Sequence, residues 1–323
     1  MHRRAFVAVA ALSPLWARDS GAQTAPRSAR VGLINNATPR DGAALVDAFR
    51  QGMSDAGWIE GRNLAIEYRW AESDLSRHPR LVGELLGARM DVIVLAGTAA
   101  ARAARQATST VPIVVTAVGD PVELGLVASL ARPGANLTGL AWQSSDLATK
   151  QIQILHETVP RLSRLAAMFH SANPAILETA QSAAQALDLK LQAIEVPSPE
   201  SIPGAFDTAR RGRAEALIVL PSPMFHAQRK QLAELAARHR LPAAYEVKAY
   251  VDDGGLLSYG PSFPEMYRRA ASYVDRILKG ATPGDLPMEQ PSKFELALNL
   301  KTARALKLAI PPTLHLRADH IVE

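Results

Sequence analysis

Three short polar groups in the first half of the chain have the residue types and spacing to hold a small charged molecule: Asn35-Asn36, Gly97-Thr98 and Gly119-Asp120. Each follows a short apolar run and precedes a stretch with helical patterning. At such a junction glycine lets the backbone approach a ligand, and the first-turn N–H groups of the helix can hold a carboxylate without a cationic side chain. Thr98 adds a hydroxyl there, or serves as a plain helix cap. Asp120 can accept from a ligand ammonium or cap the helix entered at Val122. The amides of Asn35 and Asn36 donate and accept, and they equally suit a turn. In the second half Asn173, Ser222 and Glu246 stand at comparable junctions. Glu246 can pair with an ammonium or lie on a loop as an exposed acid. Trp142 can stack on a flat ligand or pack a hinge, and Tyr259 can line a cleft or brace the hinge.

Residues for covalent or metal chemistry are missing from the pattern. There is no Gly-x-Ser-x-Gly elbow, no Gly-x-x-x-x-Gly-Lys phosphate loop and no His-Glu-x-x-His pair. The chain has no cysteine, which removes disulfides, thiolate metal sites, a cysteine nucleophile and a lipid-modified N-terminal cysteine. The eight histidines are scattered. Asp252 and Asp253 are adjacent, so their carboxylates point apart or into solvent. The expectation is a binding protein, not an enzyme, with no cofactor and no metal.

The elements that position these residues form two sets. Apolar, β-branched runs occur at Val31–Ile34, Leu64–Tyr68, Asp91–Leu95 and Pro112–Ala117, then at Leu165–Phe169, Leu189–Val196, Ala216–Leu220 and Pro242–Tyr245. They lack polar alternation, as expected of strands covered on both faces in a parallel sheet. Helical stripes separate them. Leu45, Val46, Phe49 and Met53 recur at three- and four-residue spacing before a stop at Gly57. Pro174 opens a second helix behind Asn173, and Arg229–Arg240 forms a third. Two sets of βα units in 323 residues predict an α/β protein with two doubly wound parallel-sheet lobes, joined by a hinge and sharing a ligand cleft. The turn-rich segment Arg132–Asn136 reads as the bridge between the sets.

The first residues have a different character. Arg3 and Arg4 precede an apolar stretch from Ala5 to Ala17, and small residues follow near Gly21-Ala22-Gln23. The apolar stretch is shorter than the ~20 residues a bilayer span needs. A basic start, a short apolar core and small residues read as a secretory signal over 1–23, with Arg3-Arg4 also suiting the twin-arginine route. The expected location is the periplasm. No later segment is apolar enough to span a membrane. The formal net charge is +5, part of it in this leader. No basic run or interleaved aromatic pattern suggests nucleic-acid binding.

Gly57–Asn63 followed by Ile66–Glu72 resembles the ABC transporter substrate-binding proteins of the tryptophan/tyrosine-binding-like group. Further matching segments are Asp91–Val94, Gly119–Val122 with Gly125–Leu130, Arg132–Gly139, Gly254–Gly260, Asn299–Ala303 and Arg317–Asp319. The resemblance implies a type I periplasmic-binding fold that delivers a small molecule to ABC permease subunits. It leaves the ligand open. An aromatic or branched amino acid, or a related carboxylate, would suit Thr98 with its neighbouring N–H groups, Asp120 or Glu246, and Trp142 or Tyr259. Trp142 departs from relatives that carry a small residue near that place. The expected lobes are 29–141 plus about 262–283, and 142–261 plus about 284–323, in a monomer. A ligand sensor that presents its bound form to a membrane receptor is the alternative.

Overall fold

The computed structural model describes residues 28–72, 74–142, 145–170 and 174–323. Residues 1–23, expected to be a leader, and Asn173 therefore lie outside the described residues. Five strands form the first sheet: β1 (Ala29–Asn35), β2 (Leu64–Trp70), β3 (Val92–Leu95), β4 (Ile113–Val118) and β5 (Leu137–Ala141), in the order β2-β1-β3-β4-β5 and all parallel. Between them run α1 (Ala43–Asp55), α2 (His78–Gly87) and α3 (Thr98–Ala107). The stripe read from the sequence buries Val46, Phe49 and Met53. Strands β3 and β4 are buried along their whole length, because helices cover both faces of the sheet. That arrangement is what permits an uninterrupted apolar run.

The second half repeats the plan. After α4 (Ser145–Thr158) come β6 (Arg164–Phe169), α5 (Pro174–Ala186), β7 (Lys190–Glu195), α6 (Ile202–Arg211), β8 (Ala216–Val219), α7 (Pro223–Ala227), α8 (Arg229–Arg238), β9 (Ala243–Tyr245), α9 (Lys248–Asp252) and β10 (Leu257–Pro261). The order β7-β6-β8-β9-β10 matches that of the first sheet. The chain then leaves through α10 (Phe263–Leu278), whose Met266, Tyr267, Ala270 and Val274 pack into the same apolar cluster as Phe49 and Met53 of α1. It returns as β11 (Phe294–Asn299), which pairs antiparallel with β10, and ends in α11 (Leu300–Ala305), α12 (Pro312–Arg317) and β12 (His320–Val322). The second sheet is thus parallel except at this one join, where the chain re-enters from the opposite direction.

Arg132–Asn136 is not the bridge. It leads into β5 of the first sheet, where the Asn136 amide donates to the carbonyls of Thr108 and Val111. The chain crosses after β5, after β10 and ahead of β11. These passages are tied to one another and to the sheets: Ala141 N–H donates to Glu289 C=O, and Ser262 N–H donates to Lys293 C=O. Residues 286–289 stay on the first sheet, since Thr138 Oγ1 donates to Leu286 C=O and Glu289 N–H donates to Gly139 C=O. Among the described residues no helix is long and apolar enough to cross a membrane.

Candidate functional site

In both sheets the strand order reverses beside the first strand of the set, between β1 and β3 and between β6 and β8. Ligands of open α/β sheets bind beyond the strand carboxyl ends at this reversal. The two carboxyl-end rims face each other. Asp41, in the loop after β1, lies 3.6 Å from Arg229 at the start of α8. At the crossings, the rings of Trp142 and Phe263 meet edge-on at 5.5 Å.

On the first rim the predicted residues are brought together, and most of their polar groups bond backbone or a neighbouring side chain. Asn36 Nδ2 donates to Ala96 C=O at 3.1 Å, and its Oδ1 lies 2.8 Å from His78 Nε2. With the amide nitrogen committed to a carbonyl, the amide oxygen faces the histidine, so Nε2 carries the proton. Burial holds the His78 pKa below its usual range and favours this neutral ring. Gly97 adopts φ +87°, a conformation side chains rarely take, and caps α3. Thr98 Oγ1 accepts from Gly119 N–H at 3.3 Å, which leaves its own proton to donate. The start of α3 therefore offers first-turn N–H groups and a hydroxyl. Asn35 closes an Asx turn by accepting from Ala37 N–H, while its Nδ2 is buried without a hydrogen-bond partner.

Two candidates take the capping alternative. Asp120 Oδ1 accepts from Val122 N–H and Glu123 N–H, both at 3.1 Å. Ser222 caps α7, accepting from Met224 N–H at 3.2 Å. Tyr259 does not join the others. Its ring stacks on Phe294 at 5.8 Å, in a surface groove with Leu147, Lys150 and Gln153 of α4. Neighbouring Ser258 points to the other face of β10 and is buried.

Glu246 is not an exposed loop acid. It is 4% exposed at the end of β9, and its Oε2 is buried with no hydrogen-bond partner. Burial pushes its pKa up to about 8. The Trp142 indole N–H and the hydroxyls of Tyr245 and Ser258 are likewise buried and unpartnered.

The sequence reading missed the groups around Glu246. Tyr250 of α9 stacks on Tyr245 at 4.5 Å, and His226 of α7 meets Tyr250 edge-on at 6.0 Å. Burial, with the nearby Arg229 charge, pulls His226 down to about 4. Arg229 pairs with Asp253 at 2.8 Å as well as reaching Asp41. Asp252, by contrast, pairs outward with Lys248 and His320. The adjacent acids do point apart, but Asp253 points inward to a cation. The sequence did open a helix at Arg229, but carried no signal that this helix start lies beside the rim. Among the described residues no acidic or histidine cluster could hold a metal ion.

The family model described as ABC transporter substrate binding protein matches residues 40–322. A tyrosine-binding protein of Clostridioides difficile (strain R20291) is 24% identical over 264 residues, covering 80% of this chain and 75% of that protein. Among solved structures, the ABC domain in complex with L-Trp from Streptococcus pneumonia superposes with a TM-score of 0.83 at 22% identity, covering 91% of this chain and 100% of that one. A conserved domain protein from Vibrio cholerae also superposes at 0.83, with 24% identity and the same coverage. The two-lobed architecture is therefore the type I periplasmic-binding fold.

Proposed function

Because the chain belongs to the ABC transporter substrate-binding protein family, we propose that it captures an aromatic or branched amino acid, or a related carboxylate, between its lobes and delivers it to an ABC importer. In this reading the leader 1–23 is removed and the protein works in the periplasm. We place the lobe boundaries at the crossings, with 29–142 and 262–289 in the first lobe and the rest of the mature chain in the second.

The observation that carries the ligand class is the set of buried, unpartnered polar atoms on the facing rims: Asn35 Nδ2, Trp142 Nε1 and Glu246 Oε2. A buried polar group without a partner costs roughly 1–3 kcal/mol, so a ligand that satisfies several at once favours the closed form. The carboxylate goes to the first turn of α3 and the Thr98 hydroxyl, where the helix dipole and free N–H groups suit an anion. The flat or branched side chain lies against Trp142. Closure traps the ligand, because contacts from both lobes exist together only in the closed form. The bound relatives point the same way: one is named for tyrosine and one holds L-Trp.

The test is a thermal-shift and calorimetric screen. Tryptophan, tyrosine, leucine or a similar carboxylate should raise the melting temperature. Thr98→Val should lose that stabilisation, and Trp142→Ala should weaken binding by about 1–3 kcal/mol, the worth of a buried polar partner or an aromatic contact. A screen in which only sugars, metals or phosphates stabilise the protein defeats the ligand assignment and leaves the family intact.

A further inference from the structure

The proposed ligand class spans molecules with and without an amino group, and the second rim discriminates between them. We infer that Glu246 selects for a ligand ammonium, and that it releases a proton when that ammonium binds. This rests on the reading of the facing rims as the ligand site.

Glu246 follows β9 and is packed under β10, where Gly260 has no side chain: a Cβ there would overlap the Glu246 carbonyl oxygen. The two backbones are thus in close contact here, which holds Glu246 against β10. Its Oε2 has no hydrogen-bond partner. A buried carboxylate without a counter-charge is costly, so the group holds its proton until a cation arrives.

None of the neighbouring groups supplies that cation. From α8, the Arg229 guanidinium is engaged by Asp253 and Asp41. From α7, burial keeps His226 neutral near pH 7. From β9 and α9, burial raises the phenol groups of Tyr245 and Tyr250, which stay protonated. From α4, Gln151 is neutral and donates to the carbonyls of Tyr245 and Tyr259. From β10 come only Ser258 and the backbone of Gly260. Glu246 is thus the group in this cluster whose protonation changes between pH 5 and 8. Asp120, the other acid considered for an ammonium, has its Oδ1 occupied by two backbone N–H groups as a helix cap.

The proton balance is simple. Protonated Glu246 and a ligand –NH3+ become a carboxylate–ammonium pair, and one proton goes to solvent. A ligand without the amino group leaves Glu246 protonated and releases none. Below about pH 8, affinity for the amino acid should rise up to tenfold per pH unit, and affinity for its des-amino counterpart should not.

The experiment is calorimetry of the full chain in buffers of different ionisation enthalpy at pH 6, 7 and 8. The probes are L-tyrosine, L-tryptophan and L-leucine against 3-(4-hydroxyphenyl)propionate, 3-indolepropionate and 4-methylpentanoate. The expected result at pH 6 and 7 is close to one proton released per amino acid bound and none per des-amino acid. At pH 8 the amino acid should bind at least tenfold tighter. In Glu246→Gln both the proton release and the preference should disappear. The wild-type release alone decides the matter if that variant does not fold. Equal affinities with no proton release would overturn the assignment of Glu246 while leaving a carboxylate-binding cleft. Failure of all six compounds to bind would overturn the proposed ligand class, and this inference with it.

Discussion

The two rims come from the same topology and differ in how far their polar groups are bonded. On the first, Asn36, His78, Thr98, Gly119 and Asp120 largely bond to each other and to backbone. What remains is backbone N–H at the start of α3, with Asn35 Nδ2 and His78 Nδ1 buried and unpartnered. On the second, Glu246, Tyr245, Ser258 and His226 keep buried atoms without hydrogen-bond partners. A largely bonded rim has its geometry set before a ligand arrives. An unsatisfied rim gains most when the right partner arrives, and it discriminates. The difference teaches that a doubled fold need not double its chemistry: one rim can anchor while the other selects.

The largest effect should come from what the rims share. Each sheet's last parallel strand carries a glycine whose Cβ position is occupied by a neighbour's carbonyl: Gly139 of β5 against Val115, and Gly260 of β10 against Glu246. Gly139 also has φ +127°, which alanine resists. A clash with backbone cannot be relieved by a rotamer change, so strands must part. Gly139→Ala and Gly260→Ala should each destabilise by roughly 4 kcal/mol or more, at the upper end for single substitutions. Chemical denaturation checks this. If only Gly260→Ala also abolishes amino-acid selectivity in whatever protein folds, the division of labour between the rims is sharpened. Mild effects for both would break the argument that β5 and β10 fix the rims.

The next effect is pH-dependent stability without ligand, and it should arise mainly in the second rim. Glu246 has its pKa raised from 4.5 to about 8. Between those values the native state holds a proton that the unfolded chain has lost, so stability falls as pH rises through the window and is flat above it. His226 has its pKa lowered from 6.5 to about 4. Its contribution is complete above pH 6.5 and is lost as pH falls toward 4. Glu246→Gln should therefore raise stability at pH 8 relative to pH 5, by on the order of 3 kcal/mol at ~1.4 kcal/mol per pKa unit. His226→Gln should flatten the acid limb only in part, because the His78 pKa is lowered too. Denaturation midpoints across pH 4–9 measure both. A profile unchanged in Glu246→Gln would mean that the carboxyl finds water or a partner.

The sequence was most legible where burial on two faces writes an apolar run, as in β1, β3, β4, β6 and β8. It was least legible at the crossings. Strand β5 contains Thr138-Gly139 and β10 contains Ser258, Gly260 and Pro261. Close backbone approach demands small residues there, and small residues read as turns. Hence Arg132–Asn136 looked like the bridge and the strand after it was not seen. The strand-to-helix junctions themselves were legible, since glycine, threonine and asparagine after an apolar run mark a strand end and a helix start. Which junction residue would be consumed as a cap was not: Asp120 and Ser222 have the same chemistry whether they bond a ligand or their own helix. For Tyr259, strand parity chose the hinge side over the cleft, against Phe294, Gln290 and Pro291 of the returning chain. One residue of register on β10 decides whether Ser258 or Tyr259 turns inward, and that register is set by pairing with β9 and β11. Arg229 and its two acids are far apart in sequence and meet only through the fold.

The smallest effect tests whether the rims hold each other without a ligand. Arg229 lies 2.8 Å from Asp253 in its own lobe and 3.6 Å from Asp41 in the other. The Asp41 side chain is 42% exposed, so solvent and salt screen the interlobe arm, and such pairs contribute ~0–1 kcal/mol. Asp41 is also held within its own turn by Thr38 Oγ1 at 2.9 Å. The Arg229–Asp253 arm is less exposed and lies within one lobe, so it should resist salt. Asp41→Asn should therefore leave denaturation midpoints almost unchanged. It should speed ligand release by no more than about fivefold, the rate equivalent of ~1 kcal/mol, and the effect should fade as salt rises to 0.5 M. Stopped-flow displacement of bound amino acid at two salt concentrations measures it. A hundredfold faster release, or one insensitive to salt, would mean that closure depends on the charges and not on the ligand bridging the anchor rim and the selecting rim.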